Sequence, residues 1–511
     1  MRNRYGVLPL PLPLLCALIA ASFLAAFPIS AEGAVLYVTP GGGNPKAGTS
    51  WATAFSEVEF PNALSAAAPG TEFWVAKGRY RPSTTDNTTD KEKFFPLKPG
   101  VALYGGFAGT ETARDQRNWK TNVTVLTGDL AFNDEVDDGI TRVSSDIKGT
   151  NSLNVLNAEG SDAATILDGF VITAGDSEVY GGGIFNPNGG VAIRNCSFYG
   201  NRASQGGALY MASGSTSTVT DCTFSGNSAN MGAAIFNDES ASLIQRCFFE
   251  ANFAVLDSGG GIYSTGSPAP EVDGCTFFKN KAGDRGGGMY VTNDARVKGS
   301  TFTENEAADG GGMFNIDFEP VVTNCTFSKN TATANGGGMQ NYEDATTIVM
   351  NCTFSGNSAA LGGNMYNYLD IKGNPTVTNS IFWGGINGEI IDEAVSNTVV
   401  SYSVVQGGYG PGSDIITTDP KLGPLAANGG PTETMALLSD SSALDAGTST
   451  GAPSVDQRGI SRPQGGGYDI GAFEVEVAGG SGGGGGCSAG GGSLFALLVM
   501  LAPLALLRRR R

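Results

Sequence analysis

Between residues 150 and 413 apolar and polar positions alternate in short runs broken by glycine, and no stretch sustains an apolar period of 3.6. Alternation of this kind predicts strands rather than helices. In the run Cys222, Thr223, Phe224, Ser225, the first and third residues share one face and the second and fourth share the other. A second short strand precedes each such run, as at Thr218, Val219 and Thr220, and a third follows a glycine corner, as at Leu209 and Tyr210 after Gly206 and Gly207.

The pattern is a repeat. A Cys/Ser-x-Phe-x-x-Asn motif begins at Cys196, Cys222, Cys247, Cys275, Ser300, Cys325 and Cys352, and in degraded form at Ser380, with spacings of 26, 25, 28, 25, 25, 27 and 28 residues. A period of this length marks the coil of a solenoid. Three short strands per coil, with glycine at the corners, predict an all-β fold: a right-handed parallel β-helix of about 26 residues per coil, with an N-terminal cap and a C-terminal cap domain.

Coils stacked about 4.8 Å apart turn every motif position into a column. Phe198, Phe224, Phe249, Phe277, Phe302, Phe327 and Phe354, with Phe382 beyond them, are expected to stack as rings in the core. Asn201, Asn227, Asn252, Asn280, Asn305, Asn330 and Asn357 are expected to form an amide ladder at one corner, satisfying turn backbone that three-residue strands leave open. The residues after the inward aliphatic position, Phe185, Tyr210, Phe236, Tyr263, Tyr290, Phe314 and Tyr366, form a third column, interrupted by Gln340. If the aliphatic side chains point inward, these rings point outward, a platform for a glycan or a partner; an inward or covered column is the competing reading.

Phe-x-x-Asn paired in register with Gly-Gly-Ala-Leu steps (Phe224 with Asn227, Gly206 to Leu209) resembles the repeat of the polymorphic outer-membrane proteins over about residues 165–385. The resemblance implies a surface-exposed bacterial β-helix and carries no enzymatic activity. The chain departs from that family in lacking a long C-terminal segment able to form a barrel. Residues 35–105 resemble the start of pectate-lyase-like β-helix proteins: a strand at Val35 to Val38, a short helix opening near Gly48 to Phe55, and first coils at Leu103 to Phe107. Residues 419–474 resemble the choice-of-anchor Q domain, through Asn428-Gly429-Gly430-Pro431-Thr432, Asp456-Gln457-Arg458-Gly459 and Asp469-Ile470-Gly471 in that order. They are expected to close the far end of the helix. Asp445, Asp456, Arg458, Arg462 and Asp469 are read there as ion pairs and turn caps rather than as a catalytic cluster.

The termini carry targeting signals. Arg2 and Arg4, an apolar stretch over 8–26 and a small-residue end at Ser30 and Ala31 read as a secretory signal. Residues 479–492 are Gly/Ser-rich around Cys487, followed by an apolar run over 494–507 and four arginines. This layout resembles the tripartite sorting tails of Gram-negative bacteria, which implies Cys487 as the processing or lipid-attachment residue. A plain linker with a membrane tail is the simpler alternative; fourteen apolar residues are short for a full span. The divisions are thus 1–31 signal, 32–150 cap and first coils with polar insertions, 151–418 repeats, 419–478 C-terminal cap and 479–511 tail.

Composition narrows the function classes. There is no histidine among 511 residues, so Ser-His-Asp and Cys-His catalysis and His-ligated metal sites are excluded. A net charge of −18 argues against a nucleic-acid partner. The Cys column reads as a buried ladder rather than disulfides, because Ser stands in for it at Ser300 and Ser380. A lyase or hydrolase would need clustered acids; Asp168, Asp221 and Asp273 lie near the motif at unequal offsets and no column accumulates carboxylates. No catalytic residue, metal site or cofactor is assigned, and calcium has no specific motif. The expectation is an exported, cell-surface, non-catalytic protein for adhesion to polysaccharide or to a host or neighbouring cell, attached to the membrane through its tail. A pectate-lyase-type enzyme and a structural surface component are the alternatives.

Overall fold

The computed structural model describes residues 33–82, 89–369 and 374–477. The signal segment with Cys16, the Gly-rich stretch with Cys487 and the arginine-tipped apolar run lie outside the described residues. Among those described, no helix is long and apolar enough to cross a membrane.

Strands pair in parallel, coil upon coil, into a right-handed β-helix of about 12 turns. One coil reads Leu209–Met211 in the first sheet, Thr218–Thr220 in the second and Thr223–Ser225 in the third. A fourth, two-residue strand follows each third-sheet strand along the middle of the rod, as at Ser228–Ala229 and Phe253–Ala254. The three-strand expectation missed it because two residues carry no alternation to read. Pairing is already continuous from Val35–Val38 through Glu72–Ala76 to Ala102–Phe107, so the helix begins well before residue 150.

Register places like on like: Phe198 on Phe224, Phe224 on Phe249, and so on to Phe382. The rings are fully buried and stack with centroids 4.4–5.0 Å apart and planes within 7°. Coil spacing sets that distance, so each ring is packed on both faces without rotamer choice. Beside it, each Asn from Asn201 to Asn330 donates its Nδ2 to the Oδ1 of the next coil's Asn at 2.8–3.1 Å. From Asn227 on, the same amide also donates to the Phe carbonyl of the preceding coil, at 2.9–3.0 Å. Every ladder amide is buried and multiply bonded, as a buried polar group must be.

The ladder ends in acid. Asn357 donates to Asn364, which fills a position held by Gly or Ala in earlier coils and donates in turn to Glu389. A second inward ladder, Asn315 to Asn341 to Asn367 at 2.9 and 2.7 Å, passes to Asp392 at 2.8 Å. Tyr409 and Thr398 also bond Asp392.

One turn geometry explains several residue choices. The residue between second and third strands sits at positive φ in every repeat: Asn195, Asp221, Arg246, Asn324, Asn351 and Asn379 at 49–55°, with Gly274 and Gly299 in the same place. Asn, Asp and Gly are the types that tolerate this region. Asp221 is therefore a turn residue, and Asn324 and Asn351 are buried coil residues.

Two expectations about the ends need correction. Near Gly48 there is only a single 3-10 turn, Trp51–Thr53; the α-helix is Phe60–Ala66, where Pro61 presets the first turn. It covers the first coils with Phe60, whose ring lies 5.3–5.9 Å from Phe73, Tyr80 and Phe95. Residues 419–476 do not plug the far end, where Tyr409 and Ile415 pack on the core instead. They fold back along the flank of the third sheet as a strap: Ala472 N–H donates to Thr353 at 3.1 Å, Thr326 to Gln457 at 2.7 Å, and Thr301 to the Glu433 carbonyl at 2.6 Å. The strap's ion pairs are internal. Arg462 and Glu474 meet at 2.8 Å with side chains 0% and 1% exposed, and Arg462 also donates to the Asp469 and Gly471 carbonyls. Arg458 pairs with Asp456 and lies 3.6 Å over the Phe473 ring.

Three outcomes follow. Asn280→Ala strands donors and acceptors on both neighbouring coils and is expected to cost on the order of 3 kcal/mol in urea unfolding. Arg462→Met leaves Glu474 buried and unpaired, a loss of about 3–5 kcal/mol by the same measurement. Burial raises the carboxyls of Glu389, Asp469 and Glu474 above their ordinary values. The folded state then holds protons the unfolded chain has released, so this contribution is present at low pH and lost as pH rises through the folded values. The urea midpoint is expected to increase from pH 7 to pH 5, and Glu389→Gln to flatten that slope.

Candidate functional site

The first sheet alternates as expected. Leu209 and Met211 enter the core while Tyr210 points away from it. Phe185, Tyr210, Phe236, Tyr263, Tyr290 and Phe314 form one outward stack, with successive centroids 4.6–5.8 Å apart and planes within 19°. Outward does not mean open. Phe185 and Tyr263 are half-buried, and Tyr210, Phe236, Tyr290, Phe314 and Tyr366 are all 9% exposed or less. Each ring face is taken by the next ring, so the column presents edges to solvent. Tyr180 caps one end at 4.5 Å from Tyr210; Arg285 lies 5.0 Å over Phe314 at the other. Gln340 breaks the column, and Tyr366 instead bonds Glu393 at 2.7 Å. Burial pushes the Tyr210 phenol up to about 12 and raises Tyr263 and Tyr290, so these hydroxyls stay protonated.

The candidate acids are not brought together. Asp168 is clamped by Arg117 at 2.7 Å and by Arg194, and accepts from Asn195. Arg117 also donates to the Gly105 and Asp168 carbonyls between the Tyr104 and Trp119 rings, which bolts the 107–123 segment to the rod. Asp221 is held by both nitrogens of Arg246 at 2.8 Å, and Asp273 pairs with Lys298 and Gln245. Among the described residues no group of three or more His, Cys, Asp or Glu is placed to hold a metal ion.

The six described cysteines are buried and free of disulfides. Each Sγ faces backbone carbonyls, as Cys222 does with Thr220 at 3.2 Å; Ser300 makes the same bond to Lys298 at 2.9 Å. That shared contact explains why Ser replaces Cys in the column. Burial raises the thiols of Cys222, Cys275 and Cys325, which keeps them unreactive.

Sequence reasoning missed Gln457, which donates to Thr301 at 2.8 Å and Thr432 at 2.9 Å while accepting from Thr326. Nothing local marks it, because the rod threonines it meets, Thr326 and Thr301, lie 131 and 156 residues away. The second Asn ladder left a signal in the sequence: Asn315, Asn341 and Asn367 each follow the inward aliphatic residue by two, as Asn186 and Asn237 do in earlier coils where they bond serines instead.

Comparison with known proteins agrees with the architecture. The family described as right handed beta helix region matches residues 153–318. No curated protein matches the chain. Among solved structures, that of pectate lyase Pel9A is similar at a TM-score of 0.37 and 14% identity, over 88% of this chain and 98% of that one. At that level the likeness carries no argument about activity.

Proposed function

We propose that this chain is an exported bacterial surface protein, a non-catalytic β-helical rod that binds glycan on a neighbouring surface. The observation that carries the reading is the state of its acids. Asp168, Asp221 and Asp273 stand on separate coils, each already paired with its own cation. Carboxylates that work as acid and base flank one bond and need unlike environments; these flank none. A rod of self-stacked columns also offers long outward faces without requiring them for its own stability. Export by the N-terminal signal, retention through the tail and processing at Cys487 complete the proposal.

Incubation of the purified protein with polyuronates is expected to give no unsaturated-uronate absorbance, while a glycan array gives bound features. Product formation would replace this reading with a lyase. A blank array together with self-assembly into sheets would replace it with a structural surface role. Intact-mass measurement of surface-extracted protein is expected to end at or near Cys487; a full-length mass would remove the sorting assignment.

A further inference from the structure

The outward face of the third sheet is covered at both ends and open in the middle. Toward the N-terminus the 107–150 segment closes it: Thr173 donates to the Thr141 carbonyl at 2.7 Å and is fully buried. Toward the C-terminus the strap covers Thr301, Thr326 and Thr353, all 2% exposed or less. Thr223, Phe248 and Thr276 belong to the same outward column, in unbroken register with Thr301, yet Phe248 is exposed and Thr223 and Thr276 are only half-buried. Phe248 is 36% exposed. The gap is a saddle about 14 Å across, three strand spacings. Its walls lie at either axial end, so a ligand would run along the strands, across the rod.

The N-terminal wall borders a half-open hollow of about 400 Å³ whose lining includes Trp119, Lys120, Arg142, Asp221 and Thr223, within the usual size of ligand sites. Pro431, against Gly274, begins the opposite wall. The strap illustrates what this column binds: its amide and carbonyl groups take one threonine hydroxyl per coil. The open coils repeat those hydroxyls at Thr223 and Thr276 and set an exposed ring between them. Hydroxyls beside an accessible aromatic face suit a sugar.

Charge narrows the ligand. Asp221 is held by Arg246, and Arg142 lies over the Tyr199 ring and meets Asp137 at 3.4 Å. Lys120 is exposed, and among the described residues no carboxylate lies within ion-pair distance of it. On a chain of net charge −18 this is an uncommitted positive point beside a polar hollow. We propose that the saddle binds a glycan segment carrying an acidic sugar, with the acid at Lys120 and a sugar face on Phe248. This rests on the glycan-binding reading above.

Affinity electrophoresis of the full chain in gels containing alginate, hyaluronate or dextran tests it. The wild-type protein is expected to be retarded by an acidic polymer and not by dextran, with retardation falling as salt rises. Lys120→Glu is expected to weaken the acidic-polymer affinity at least tenfold and Phe248→Ala about fivefold, while Thr216→Ala, in the exposed turn that follows the first-sheet strand Leu209–Met211, leaves it unchanged. Both saddle residues are exposed, and circular dichroism checks that each variant is folded. Wild-type retardation that both saddle variants retain would overturn the saddle and leave glycan binding standing. Equal retardation by dextran would overturn the acidic sugar. No retardation by any of the three would overturn the saddle, and a blank glycan array alongside it would overturn glycan binding as well.

Discussion

Parallel coils stacked about one strand spacing apart seat each residue on its own counterpart, and every other feature of this molecule answers to that constraint. A side chain survives in such a column only if it can pack on, or bond to, a copy of itself. Phenylalanine does so by offset stacking, asparagine by passing an amide proton from coil to coil, and alanine by being small enough for the corner where Ala229, Ala254, Ala282 and Ala307 cluster. A charged side chain cannot, since like charges in register repel. Charges on the rod accordingly appear as complementary neighbours, Asp221 with Arg246, Lys281 with Glu306 and Lys298 with Glu271.

That self-complementarity is why so much of the fold could be read from the chain. Phe224, Asn227 and the glycine corner announce inward ring, ladder and turn because each recurs at the coil period. Alternation offered an outward sense for Tyr210 and Tyr263 but left an inward or covered column open. Their low exposure did not follow from it, because it depends on each ring face being covered by the next ring, a consequence of spacing rather than residue type. Where periodicity stops, legibility stops. The strap looked like an end cap since nothing in Gln457 or Thr432 reveals that Gln457 meets Thr301 and Thr326 and that Thr432 donates to the Gly299 carbonyl, all more than a hundred residues earlier.

The strap and the 107–150 segment divide the third sheet into covered and open stretches, so the same outward column serves two purposes. Under the strap its threonines hold the chain to itself; in the saddle they are free for something else. The inward Phe and Asn columns stack without using the outward positions, which leaves the saddle residues unconstrained by the repeat. Phe248 stands where the neighbouring coils carry threonine.

The two Asn ladders have a direction. Each ladder amide hands one proton to the next coil, toward the C-terminus, and the last acceptors, Glu389 and Asp392, are carboxylates that bring no amide proton to hand on. Another coil placed there, from this chain or from a second rod, would meet them with an amide oxygen where a proton is required. The rod thus carries its own stop signal: its length is written into the chemistry of its last coil, and end-to-end growth into a filament is opposed at the point where an open solenoid would otherwise invite it.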